Sequence, residues 1–159
     1  MTVQVNGQEL TLTGSVGAYW FEDGFTHAEI VTALASLEGD ITVRLNSGGG
    51  IAAEGAAIHA TLTTYDGNVD MVVEGIAASA ASLIAMAGDT ITMADGAVLM
   101  IHDPQNVTIG DAAAHQKTID ELEAYARAYA RIYAKRSGQT IEACREIMKA
   151  ETWYDREAA

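Results

Sequence analysis

Short β-rich apolar runs alternate with segments of helical period along most of this chain. That alternation narrows its folds more than any other feature, because strands separated by helices return as parallel neighbours with helices laid over the sheet. The runs are "ITVRL" (Ile41 to Leu45), "VDMVV" (Val69 to Val73), "TITM" (Thr90 to Met93) and "AVLMI" (Ala97 to Ile101). Helices are predicted over Ala52 to Thr64, Ser79 to Ala87, Asp111 to Arg136 and Thr140 to Lys149. A further one is expected in "THAEIVTALASL", where Thr26 and Glu29 stand at capping-box spacing and Ile30, Val31, Leu34 and Leu37 fall on one face. Ahead of all these, "VQVNGQELTLTG" has two alternating runs about Asn6-Gly7, a dipeptide that tolerates the positive φ of a tight hairpin. The expectation is an α/β fold with a small N-terminal hairpin, residues 1–159 forming a single domain.

A chain of 159 residues with 49% hydrophobic content can bury one genuine core. Nine basic against twenty-two acidic side chains leave a net charge of −13, which repels phosphate backbones and anionic headgroups and argues against nucleic acid or a membrane surface as partner. The longest apolar stretch, Val73 to Gly88, is shorter than the ~20 residues a bilayer requires, and "MTVQVNGQEL" lacks a signal peptide's basic start and apolar core. A cytoplasmic protein is expected. Cys144 is the one cysteine, which excludes an internal disulfide, and "TIEACREIMK" places it on the apolar face of a helix as a structural thiol.

Three stretches sit where strands should end: "LNSGGG", "GIAAS" and "MIHDP". Loops at the carboxyl ends of parallel strands commonly build active sites. A serine that follows a strand and a glycine turn at the start of a helix lies against the positive end of the helix dipole, which stabilises an alkoxide and the oxyanion that follows it. Seen alone, a serine in so small-residued and apolar a run reads as structural, and three glycines read as a plain turn.

Taken in order, "ITVRLNSGGG", "GIAASAASLIAMAG", "MIHDP" and "SGQTIEACREIMKAETWY" resemble the Clp-type (ClpP-like) serine peptidases, and within them the Clp-related proteases of phage head maturation. The resemblance runs from about Leu12 to the last residue. It implies a ClpP/crotonase-like fold with a long handle helix, a Ser-His-acid triad, ring assembly, and neither cofactor nor metal. Carried over motif by motif, the "GxAAS" serine is Ser79, the nucleophile. Ser82, one turn on, is expected to bond a helix carbonyl instead. His102 of "MIHDP" is the base, while His27, His59 and His115 lie in predicted helices as packing or surface residues. Gly50 and Ala80 N–H would form the oxyanion hole, with Gly48 standing where the family usually has proline. Three carboxylates are within plausible reach of the chemistry: Asp103, Glu151 and Asp155. The family's spacing of 151 − 102 = 49 residues favours Glu151, a glutamate in place of the commoner aspartate.

The resemblance thus implies a serine endopeptidase acting on protein substrates, scaffold or capsid proteins if the phage likeness holds, in the host cytoplasm or the prohead. The alternatives are an ATPase-coupled Clp-type degradative protease, a non-catalytic assembly ring, and an acyl-CoA enzyme on the same fold. In the long helix, Ile119, Leu122, Ala126, Tyr129 and Tyr133 form a stripe at three- and four-residue steps. Such a stripe favours packing against another helix, with ordinary core packing as the alternative. In Clp-like proteases this helix is the handle through which rings meet, so a homo-oligomeric ring is expected. Relatives normally continue beyond the point where this chain stops, so its C-terminal end is expected to be truncated.

Overall fold

The structure, a computed structural model, describes residues 2–18 and 23–159. In chain order the elements are β1 (Val3–Asn6), β2 (Glu9–Thr13), β3 (Ser15–Val16), β4 (Gly24–Phe25), α1 (His27–Leu34), β5 (Ile41–Ser47), α2 (Ala52–Thr63) and β6 (Val69–Ala78). There follow α3 (Ala80–Ala85), β7 (Thr90–Met93), β8 (Val98–Ile101), α4 (Ala112–Ser137), α5 (Ile141–Lys149) and β9 (Thr152–Tyr154). They fall into two compact units, residues 1–100 with 153–159, and residues 101–152. No helix among the described residues is long and apolar enough to cross a membrane.

The first unit is built on a mostly parallel sheet of order β1-β2-β5-β6-β8-β9, with β7 beside β6. The predicted hairpin is present: β1 and β2 pair antiparallel from Val3↔Leu12 to Asn6↔Glu9, and Gly7 takes φ 60° in the turn. β2, β5 and β6 run parallel, and β5 buries Ile41, Val43, Leu45 and Ser47 on one face as its alternation requires. On the other face Arg44 reaches Glu9 at 3.0 Å and Glu74 at 3.3 Å, and its hydrogen bond and charge hold the Glu9 carboxyl below the usual carboxylate range.

β6 is longer than its sequence signal. Its first part pairs with β7 (Asp70↔Thr90 to Val73↔Met93) and its last part with β8 (Ile76↔Val98 to Ala78↔Met100). Where the β5–β6 register shifts between Leu45 and Ser47, the Asn46 Oδ1 accepts the Ile76 N–H at 3.2 Å, a side chain standing in for a ladder carbonyl.

α1 carries the predicted capping box, with Thr26 and Glu29 satisfying each other's backbone N–H groups. Its buried stripe differs from the expected one. Ile30, Ala33, Leu34 and Leu37 are buried, whereas Val31 is exposed. The helix ends at Leu34 in a tighter turn (Leu37 N–H to Leu34 C=O, 3.0 Å), so the inward line follows steps of three and four from Ile30 and leaves Val31 well off it.

The second unit is α4 and α5 with the segment leading into them. Asp111 caps α4 by accepting the Ala114 N–H at 2.9 Å, and Thr140 caps α5 by accepting the Ala143 N–H at 3.1 Å. Ala126, Tyr129, Ala130 and Tyr133 of α4 are buried, as are Cys144 and Met148 of α5. The expected stripe is therefore buried only in part: Leu122 is half-buried and Ile119 is 52% exposed. The reason is length. Nine residues of α5 extend about 14 Å against about 39 Å for the 26 residues of α4, so α5 can cover only the C-terminal part of its neighbour.

Candidate active site

β6 stops at Ala78 and α3 starts at Ala80, which leaves Ser79 alone at the corner with φ 55° and ψ −124°. Side chains other than glycine rarely adopt that backbone, and they persist in it only where neighbours over-determine it. Here the Ser79 N–H donates to the Met100 carbonyl at 2.9 Å, and the Ser79 carbonyl accepts both the Ser82 N–H (3.0 Å) and the Ser82 hydroxyl (2.6 Å). Ser82 is fully buried in the structural role expected of it. The small residues of this run have a packing reason as well. α3 is buried throughout, and a Cβ at Gly55 of α2 would lie 2.8 Å from the Ala80 carbonyl oxygen.

The glycine loop meets this corner from β5. A Cβ on Gly49, whose φ is 99°, would come within 2.7 Å of the Ser79 Cβ and 2.6 Å of the Ala78 oxygen, so only glycine fits. The Gly49 carbonyl and the Ile51 N–H both bond Val16, forming the Val16↔Gly50 bridge. In that parallel geometry the intervening Gly50 N–H turns away from β3. Ala80 is the first residue of α3, so its N–H has no acceptor inside the helix. Both amides named by the sequence motifs thus lie outside the β3 bridge and the helical ladder.

In the second unit, His102 follows β8 and faces the residue just beyond α5. Its buried Nδ1 lies 4.0 Å from Glu151 Oε2, the ring being 18% and the carboxylate 55% exposed. That separation is within Coulomb reach and longer than a hydrogen bond. Asp103 is engaged elsewhere, paired with Arg145. Asp155, in the first unit, accepts the N–H groups of Glu157 (3.1 Å) and Ala158 (3.0 Å). Of the three carboxylates, Glu151 is the one set against His102. It has φ 48°. His27 is structural, its N–H on Glu54 at 2.6 Å and its Nε2 2.8 Å from the Thr61 hydroxyl.

The motifs gave no sign of Arg145 or of the Met148 carbonyl. That oxygen accepts both the Asp103 N–H and the Glu151 N–H, each at 3.1 Å. The one available signal was a charged residue beside Cys144 on the side of α5 read as apolar.

The Clp protease family model matches residues 23–159. The chain belongs to the Clp protease family. An ATP-dependent Clp protease proteolytic subunit from Ligilactobacillus salivarius (strain UCC118) is 33% identical over 107 residues, covering 66% of this chain and 54% of that protein. This Clp-family chain thus spans about half the length of that curated relative. A ClpP1 mutant from Listeria monocytogenes superposes with a TM-score of 0.83 over 96% of this chain and 85% of its own, at 21% identity. The fold of this Clp-family member, mixed α/β with a long α4, is accordingly that of ClpP.

Proposed function

We propose that this chain is a serine endopeptidase in which Ser79 is the nucleophile, His102 the general base and Glu151 the acid that orients His102. One observation carries the reading: among the described residues, the two non-glycine residues with positive φ are Ser79 and Glu151. Strain of that kind concentrates at functional sites, and these two positions were assigned roles from sequence motifs alone.

In the proposed reaction the Ser79 Oγ attacks a peptide carbonyl carbon while its proton passes to His102 Nε2. Glu151, on the Nδ1 side of the ring, stabilises the imidazolium that forms. The negative charge moves to the carbonyl oxygen, held by the N–H groups of Gly50 and Ala80. Collapse breaks the C–N bond, and His102 returns its proton to the leaving amine. Water then repeats the sequence on the acyl-serine and regenerates the hydroxyl. No step requires a metal or cofactor.

The proposed assembly is a ring enclosing Ser79, with exposed Ile119 on α4 and exposed Val107 and Ile109 ahead of it as contact candidates. The proposed substrates are phage scaffold or capsid proteins. ATP-dependent degradation is the second reading, supported by the similarity to the ATP-dependent Clp protease proteolytic subunit of Ligilactobacillus salivarius. Treatment with a fluorophosphonate followed by mass spectrometry tests the chemistry. A single adduct on Ser79 is expected, and an unlabelled protein would leave a non-catalytic ring as the better account. Cleavage of capsid precursors without ATP would separate the two substrate classes.

A further inference from the structure

We propose that Arg145 is a positioning residue that decides which carboxylate serves His102. The inference rests on the reading of His102 as base and Glu151 as its acid.

Arg145, Met148 and Glu151 are spaced three apart, so they form one line along α5 and its exit. That line meets the His102-Asp103 dipeptide at consecutive points. Arg145 Nη1 pairs with Asp103 Oδ1, the Met148 carbonyl takes the Asp103 N–H, and Glu151 faces the His102 ring. The other arm of the guanidinium lies 3.4 Å from both Glu123 oxygens on α4. Arg145 is thereby braced from α4 and from the segment that follows β8.

His102 has two carboxylates to choose between. Glu151 is long, 55% exposed and 4.0 Å away, whereas Asp103 is the adjacent residue, shorter, and 33% exposed. A short carboxylate has fewer rotamers to lose in forming a contact, so an unpaired Asp103 competes well for the imidazolium. A ring turned toward Asp103 no longer presents Nε2 where Glu151 directs it. Arg145 removes the competitor by holding Asp103 in a pair whose cation is only 12% exposed. Such a partly desolvated, charge-assisted pair is stronger than a surface one, and loss of its cation leaves the carboxylate uncompensated. Glu123 keeps the guanidinium aimed while it does so.

The test measures inactivation of the full chain by a fluorophosphonate, separating the maximal rate from the half-saturating concentration. Arg145→Gln is expected to lower the maximal rate about tenfold or more, as misplacement of a catalytic group does, with half-saturation moving less than about twofold. Adding Asp103→Asn to Arg145→Gln should restore the rate to within about threefold of Asp103→Asn alone, because no stray carboxylate remains. Arg145→Lys, which keeps the charge, should fall between the wild type and Arg145→Gln, and it reads the same effect should the glutamine variant fail to fold. A wild-type rate in Arg145→Gln, or a double variant as slow as the single, overturns the proposal. Ser79→Ala run alongside isolates the underlying reading: adduct formation that survives it would refute the active-site assignment whatever Arg145 does.

Discussion

Ser79 and Glu151 share a positive φ, 55° and 48°, that no other non-glycine residue among the described ones takes. Each such residue costs on the order of 1–3 kcal/mol that the rest of the fold must offset. Ser79→Gly should therefore be more stable than Ser79→Ala by about 1 kcal/mol in thermal denaturation, since both lack the hydroxyl and only glycine relieves the corner. Both variants should be inactive. Equal melting points would show that the corner is not strained.

The acid is tested by a ranking. Glu151→Gln is expected to slow hydrolysis of fluorescein-labelled casein by about 100-fold or more, because a neutral amide does not stabilise the imidazolium. Asp155→Asn should leave the rate within about twofold of wild type, since Asp155 serves the amides of Glu157 and Ala158. The opposite order would transfer the role to Asp155.

Two neighbouring glycines should answer oppositely to substitution. Gly49→Ala pushes a methyl into the Ser79 Cβ and the Ala78 carbonyl, and both activity and stability should fall. A Cβ on Gly48 meets nothing within 4 Å, and its φ is not in the positive region. Gly48→Pro should accordingly raise the melting temperature by roughly 1–3 °C through a less flexible unfolded chain, with activity retained. A destabilised proline variant would mean that the Gly48 N–H is in use.

Tyr129 has a buried hydroxyl with no hydrogen-bond partner, and burial, reinforced by Tyr125 and Tyr133, pushes the phenol well above its ordinary value of 10.0. Only the neutral form suits the fold. Stability is thus complete below that ordinary value and is lost as pH climbs from it toward the raised folded value. Tyr129→Phe should flatten the alkaline limb of a melting-temperature profile. At neutral pH it should be no less stable than wild type, because an unsatisfied hydroxyl is removed with little change in shape. A wild-type-like alkaline limb in Tyr129→Phe would exclude the phenol as its cause.

Much of the fold was legible because its signals are local. Asn6-Gly7, the Thr26/Glu29 box and the β-rich runs each act over a few residues, and the corresponding elements formed within a few positions of expectation. β3, β4 and β9 were not legible: they are two or three residues long and exist only through partners distant in sequence. The same distinction holds at the site. Ser79, His102, Gly50 and Glu151 were named from motifs, whereas the Arg145 pair joins positions 42 apart and depends on how α5 folds back. Val31 lies off the buried line and Ile119 stays exposed because helical period says which residues share a face, not how much of that face a neighbour covers.

The fork in β6 gives the sheet a seam. Val69 to Val73 are held between β5 and β7, but beyond the seam the strand relies on β8, a side-chain oxygen of Asn46 and the one pairing of Ala77 with Ser47. Hydrogen exchange should divide at that point: amides of the first stretch report global unfolding, and those of the last residues before Ser79 exchange through smaller openings. The strand end that presents the serine can loosen and reclose while the β5-β6-β7 ladder stays shut. Its mobility is separable from the stability of the sheet that carries it.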